Sequence, residues 1–219
     1  MMQFKILVLL TVLYTTTAYS ASKCPELYPN GVVLTSIEGS TVELCNPNYV
    51  VRYDPVRKAS IFSAEKIQAN QSAYPRSDTF KSDKRLATGT RAENSDYLYA
   101  PYDRGHMTPA DDMSTLDEMK KSFLLSNMTP QNKNLNRGAM KKLEHDIKKN
   151  KSGTIYILTG AVYDDKPKTI GDNKIPVPSI YYKCVFYSVK SECFKLENKS
   201  NATLYGATLK ETLEMVRVK

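Results

Sequence analysis

The sequence contains no run of about 20 apolar residues beyond its N-terminal leader, so it encodes no ordinary membrane-spanning helix. It has no CxxC pair, which excludes thioredoxin-type redox chemistry and zinc ribbons. No internal repeat runs through it, and no Gly-, Pro- or Ser-rich linker divides it. With 9 glycines and 11 prolines it is neither collagen-like nor of low complexity. A G-x-S-x-G nucleophile elbow is missing. Histidine occurs only twice, as His106 and His145, so imidazole chemistry has two places to sit.

What is present is a globular composition: 219 residues, 41 % apolar and 25 % charged. That length suits one full-sized domain or two small ones. The formal net charge is +8, which favours polyanionic partners such as nucleic acid, acidic glycans or anionic membrane. Residues 1–20 read as a cleaved signal peptide. Lys5 supplies the positive end, Ile6 to Leu13 the apolar stretch, and Ala18-Tyr19-Ser20 a small-residue cleavage site. A single domain over 21–219, outside the cytosol (secreted or periplasmic) and without membrane attachment, is the expected mature protein. Four cysteines permit three pairings. The nearest-neighbour pairing, Cys24–Cys45 and Cys184–Cys193, closes the shortest loops, and residues 184–193 read as two strands folding back on each other.

Hydrophobic patterning predicts short strand or edge segments at 49–53 and 60–67, a polar loop over 70–96, and β-rich stretches at 154–163 and 180–189. Phe123-Leu124-Leu125 reads as a buried strand end. Thr115-x-x-Glu118 and Thr208-x-x-Glu211 are capping boxes that open helices. The clearest helix runs from about Leu135 to Lys149, with Leu135, Ala139, Met140, Leu143 and Ile147 on its apolar stripe. Strands and helices mix without βαβ alternation, which predicts an α+β fold.

His145 lies beside Glu144 and Asp146 on that helix and reads as solvated. His106 stands in the polar, loop-prone stretch Tyr102-Asp103-Arg104-Gly105-His106-Met107-Thr108-Pro109, where a neutral imidazole can act as a general base. Asn134 and Asn136 both precede the helix stripe, and one of them is expected to cap it. In a regular helix Asn136 falls within about 40° of the apolar stripe. Glu144 lies about 12 Å further along the axis and about 80° around, so a water-mediated relation to Asn136 is the easier one. Basic residues at Lys84, Arg85 and Arg137, within the run 81–91 and on the helix face, are candidates for binding a nucleic-acid backbone.

Asp103-Arg104-Gly105-His106 matches the DRGH signature of the DNA/RNA non-specific endonucleases, the ββα-metal (His-Me finger) nucleases. The likeness continues in the family's order through Ser126-Asn127-Met128-Thr129-Pro130-Gln131, Leu135-Asn136-Arg137-Gly138-Ala139 and Leu143-Glu144. Upstream, Arg76 to Leu86 resembles the family's R-x3-F-x2-D segment. Downstream, Ile157-Leu158-Thr159-Gly160, Ile175-Pro176-Val177-Pro178 and Tyr182-Lys183 resemble its later strands. Met140 stands where the family often has tryptophan, and the chain after about residue 195 does not align.

The resemblance implies an antiparallel sheet with packed helices and metal-dependent cleavage of DNA and RNA that leaves 5′-phosphate ends. It implies His106 as general base and Asn136 as the one direct protein ligand of Mg2+, with Mn2+ or another divalent ion as substitute. Arg76 and Arg104 would hold non-bridging phosphate oxygens. Asn127 and Glu144 would orient metal-bound waters or the Asn136 side chain. Two alternatives compete. One is an inactive polyanion-binding protein on the same fold. The other is a serine hydrolase using Ser114, His106 and Asp111 or Asp112, which the missing elbow opposes.

Overall fold

A computed structural model of the chain describes residues 22–29, 41–149, 152–188 and 190–216. The signal-peptide reading of 1–20 lies outside the described residues. Seven strands form one sheet in the order β1-β2-β3-β6-β9-β10-β11, with every neighbouring pair antiparallel. They are β1 (Val42–Cys45), β2 (Tyr49–Asp54), β3 (Ala59–Gln68), β6 (Thr154–Val162), β9 (Ile180–Phe186), β10 (Ser191–Glu197) and β11 (Tyr205–Ala207). A separate ribbon pairs β4 (Tyr102–His106) with β5 (Met128–Asn132), and β7 (Thr169–Ile170) pairs with β8 (Ile175–Pro176). The helices are α1 (Leu116–Ser122), α2 (Lys133–Leu135), α3 (Lys141–Lys148) and α4 (Leu209–Val216). The fold is α+β and built on an antiparallel sheet, as expected.

Strands β3, β6 and β9 are buried along almost their whole length, because both faces of the sheet are covered. One face carries Ile67, Ile157, Ala161, Tyr181 and Val185 against Leu135, Met140, Leu143 and Ile147 of the helix running from 133 to 148. Full burial of such side chains contributes roughly 1.5–3 kcal/mol each, which holds the helix down. The opposite face carries Phe62, Ala64, Leu158, Tyr182 and Cys184 beneath the segment Cys24–Tyr28. That segment is tied down by Cys24–Cys45, while Cys184–Cys193 bridges directly opposed residues of β9 and β10. Both disulfides are the nearest-neighbour pairs.

Several local expectations change. The strands at 49–53 and 60–67 are not edges, since β2 and β3 lie inside the sheet. The 102–106 stretch is a strand, because its backbone pairs with β5 from Tyr102↔Asn132 to His106↔Met128. Phe123 to Leu125 forms no strand. Phe123 caps α1 and Leu125–Asn127 is one 3-10 turn, with a single bridge from Leu124 to Lys81. Both capping boxes form as expected: Glu118 N–H donates to Thr115 Oγ1 at 3.3 Å, and Glu211 N–H to Thr208 Oγ1 at 3.1 Å. No helix among the described residues is long and apolar enough to cross a membrane.

Candidate active site

Strand β4 ends at His106, and β5 runs straight into the helix whose second turn begins at Asn136. Ribbon and helix thereby place both side chains on one open cleft of about 520 Å³, lined also by Arg76, Arg104, Asp111, Arg137, Lys141 and Glu144. Close contact inside the ribbon is what the glycine of the DRGH block permits. A Cβ on Gly105 would come within 2.3 Å of Gln131 Oε1.

His106 stands edge-on to Phe123, with ring centroids 5.0 Å apart at 87°, and 6.2 Å from Phe80. Its Nε2 is buried without a hydrogen-bond partner. Burial first, and then the positive charge of Arg76, push its pKa down to about 3. The imidazole is therefore neutral throughout the physiological range, the form that can accept a proton.

The helix cap is neither Asn134 nor Asn136 but Asn132. Its side-chain oxygen accepts from Asn134 N–H at 3.0 Å and Leu135 N–H at 3.3 Å. Asn136 is thereby left for the cleft. Its Nδ2 donates to Asp103 Oδ2 at 2.9 Å, and the same carboxylate takes Arg137 Nε and a terminal guanidinium nitrogen, both at 2.8 Å. With the amide nitrogen held there, Oδ1 is the atom free to act as a ligand. Burial alone would raise the Asp103 pKa, but the bonds from Arg137 and Asn136 hold it below the usual carboxylate value. Between α2 and α3 the helix passes through a π turn at Asn136–Met140. One extra residue in the turn cancels about 100° of rotation. Glu144, about 80° away in a regular helix, is thus carried round to the Asn136 side.

Two of the cleft's cations lie on aromatic rings. Arg76 is 5.1 Å from the Phe123 centroid and bonds Asp78 through Nε at 2.6 Å. Arg104 lies between Phe80 and Tyr97, at 5.0 and 5.2 Å. Stacked guanidiniums are fixed in orientation while their N–H groups stay available to phosphate. Glu144 faces them. Burial raises its pKa to about 7, partly countered by Lys183, whose Nζ is 3.5 Å from Oε1.

Residues 30–215 match the DNA/RNA non-specific endonuclease family, so the match also takes in most of the stretch after residue 195 that the motifs alone left unaligned. This chain belongs to that family. It is 30 % identical over 154 residues to the mitochondrial nuclease EXOG of Danio rerio, covering 63 % of this chain and 45 % of that protein. It is 28 % identical over 157 residues to the nuclease of Serratia marcescens, covering 67 % and 59 %. The mitochondrial endonuclease G of Homo sapiens matches at 29 % over 155 residues, covering 62 % and 51 %. The chain thus spans about half the length of these relatives. Among solved structures, an EndoG/EndoGI complex aligns with a TM-score of 0.73 and 26 % identity over 81 % of this chain and 84 % of that one. The antiparallel α+β architecture is that of the ββα-metal nucleases.

Against this endonuclease framework, six of the nine residues assigned from sequence to catalysis, metal or substrate line the cleft: His106, Arg76, Arg104, Glu144, Asn136 and Arg137. Asn127 does not. It is fully buried beneath it, donating to the Thr108 and Ser122 carbonyls at 2.9 and 3.0 Å and accepting from Thr108 N–H at 3.0 Å. Three bonds to backbone hold its amide, so it fixes the chain that follows His106. Arg85 also lies outside the cleft lining, bonded to Asp83, the Cys45 carbonyl and Asn46. Lys84 is exposed but away from the cleft lining. Ser114 bonds Glu118 in the α1 cap rather than His106, so the serine-hydrolase arrangement does not form. The R-x3-F-x2-D segment resolves into three tasks: Arg76 enters the cleft, Phe80 stacks on Arg104 and His106, and Asp83 binds Ser126 at 2.7 Å. Sequence reasoning missed Asp103, although it stands in the quoted signature. It also gave no role to Lys183, quoted only as part of a later strand, or to Glu65, which no local pattern marks.

Proposed function

We propose that this chain is a secreted or periplasmic, divalent-metal-dependent endonuclease that cuts DNA and RNA without sequence preference and leaves 5′-phosphate ends, with residues 21–219 acting as one nuclease domain. The observation that carries this reading is the pairing of a neutral imidazole, His106, with the amide of Asn136 across one cation-lined cleft. The two disulfides and the leader-like residues 1–20 support export to an oxidising compartment.

The donor set suits a hard cation. Asn136 offers a neutral oxygen because Asp103 holds its nitrogen, and Glu144 supplies a carboxyl able to order waters. Mg2+ keeps several waters and asks few protein ligands, the substrate phosphate completing the set; Mn2+ fits the same donors. Bound there, it would supply Lewis-acid stabilisation of charge on the phosphoryl oxygens. The chain's own residues do the rest. His106 takes a proton from the attacking water. Arg76 and Arg104 bind the non-bridging oxygens, whose charge grows as phosphorus becomes five-coordinate. Departure of the 3′ oxygen leaves phosphate on the 5′ end, and no 2′-hydroxyl is needed, so both nucleic acids serve as substrates.

Cleavage of plasmid DNA and of RNA with and without Mg2+ tests this. His106→Ala is expected to lose about 10²–10⁴-fold in rate with its thermal melt preserved. Asn136→Ala should lose Mg2+-dependent cleavage, and a ligase should join the wild-type product ends without prior phosphorylation. Chelator-insensitive cleavage would refute the metal requirement. Binding without any cleavage would favour the inactive, polyanion-binding reading.

A further inference from the structure

A polar row crosses the apolar face of the sheet under the helix. Ser63 on β3, Thr159 on β6 and Lys183 on β9 stand directly opposite one another in the strand register. Lys183 has no exposed surface; its Nζ donates to Thr159 Oγ1 at 2.8 Å and lies 3.5 Å from Glu144 Oε1. Glu65, two residues along β3, is also fully buried, and neither of its oxygens has a hydrogen-bond partner among the described residues. Asp112, behind them, is buried and paired with Lys148. Three carboxyl groups thus share this layer with two ammonium groups. In a low-dielectric interior the balance closes when one acid keeps its proton. Lys148 is taken by Asp112 and Lys183 reaches Glu144, so the partnerless Glu65 is the neutral one.

We propose that Lys183 is a positioning residue of the cleft, holding the Glu144 carboxyl in place from beneath and easing its ionisation, with Glu65 as the neutral acid beside it. An apolar side chain at 183 would pack this face at lower electrostatic cost. The lysine is accounted for by the one member of the group that lines the cleft, Glu144. The charged and titratable groups around Glu144 are Lys183 and Glu65 from the sheet, Asp111 and Asp112 from the turn after His106, Arg137, Lys141 and Lys148 from its own helix, and Arg76, Arg104 and His106 across the cleft. Burial raises Glu144 and Glu65 above the ordinary carboxylate range, and Lys183 opposes that rise at both. The catalytic consequence rests on the nuclease reading above; the titration itself does not.

The test follows the Glu144 carboxyl by carbon-13 NMR in the metal-free full-length protein, assigned with Glu144→Gln. Lys183→Met should raise the Glu144 midpoint by about one pH unit or more, a tenfold change in its acid constant. The acid limb of kcat/KM should move with it, which a purely structural loss would not produce. An unmoved midpoint overturns the proposal. Should Lys183→Met fail to fold, Glu65→Gln decides. It replaces one neutral group with another, so the Glu144 midpoint should shift by less than about half a unit. A fall of more than one unit would show Glu65 to be the ionised partner of Lys183 and overturn the assignment. If wild-type protein cuts no nucleic acid, the NMR result still stands or falls alone.

Discussion

One carboxylate, Asp103, sets the direction of two side chains. It receives Asn136 Nδ2 on one oxygen and the Arg137 guanidinium on both. Asp103→Asn removes the charge that selects the amide nitrogen, so Asn136 can present either end to the cleft. Outer partners of this kind typically change metal affinity or activity by about 10–100-fold. We expect that loss in Mg2+ titrations of cleavage. The cost in stability should be about 1 kcal/mol or less, because Arg137 is 69 % exposed. Glu144 carries a different trade. Its folded pKa of about 7 lies above the unfolded value near 4.3. The folded state therefore holds this proton more tightly, and the stabilisation is complete below about pH 4.3 and lost as pH rises through 7. Glu144→Gln does not suffer that loss. At pH 8 it should melt higher than wild type by the equivalent of about 2–4 kcal/mol, with the gain vanishing near pH 4, while cleavage drops. Equal melting temperatures at pH 8 would mean that Glu144 is not held against its ionised form.

At the scale of elements, the site depends on a clamp outside it. Asp83 is 2 % exposed and joins Arg85 to Ser126, tying the 81–86 segment to the turn that leads into β5. Burial opposes its charge, but bonds from Arg85 and Ser126 outweigh this and hold its pKa below the ordinary value. Its stabilisation is therefore present above about pH 4 and lost as pH falls below that. Asp83→Ala should cost about 1–3 kcal/mol at pH 7, with a smaller difference from wild type in melts at pH 3. The motif R-x3-F-x2-D was legible in the sequence; that its aspartate is a clamp was not, because the partner Ser126 lies 43 residues away. The same division runs through the molecule. Capping boxes at Thr115 and Thr208, the apolar stripe from Leu135 to Ile147, the cysteine pairs and the DRGH block all use spacings within about ten or twenty residues, and these were readable. Strand β4 was hidden because its polar residues are held by pairing with β5 rather than by their own propensity. The π turn was hidden because i→i+5 bonding leaves no composition signal. Lys183 looked like an ordinary strand residue until the register placed Thr159 beside it.

For the whole molecule, the covered sheet is the base, and the cleft lies on the ribbon and helix laid against one side of it. The net charge of +8 is represented in the cleft. Arg76, Arg104, Arg137 and Lys141 line the cleft, and an adjoining groove of about 370 Å³ continues past Lys141, Lys142 and Lys148 along α3. Phosphates are the same in every sequence, so contacts of this kind bring affinity without base preference. They also release counterions. Four neutralised phosphates give a slope of about −3.6 in log K against log salt. Raising salt from about 50 to 200 mM should then weaken binding roughly 100-fold. The measurement suits His106→Ala, which should bind without cutting, with a fluorescent duplex followed by anisotropy. Replacing Arg137 and Lys141 together by alanine should flatten the slope by about one to two units, the smaller figure applying if Asp103 already neutralises Arg137 in the free protein. The loss should be equal for duplexes of unrelated sequence. A slope left unchanged by the double replacement would put the path of the nucleic acid somewhere other than along this helix.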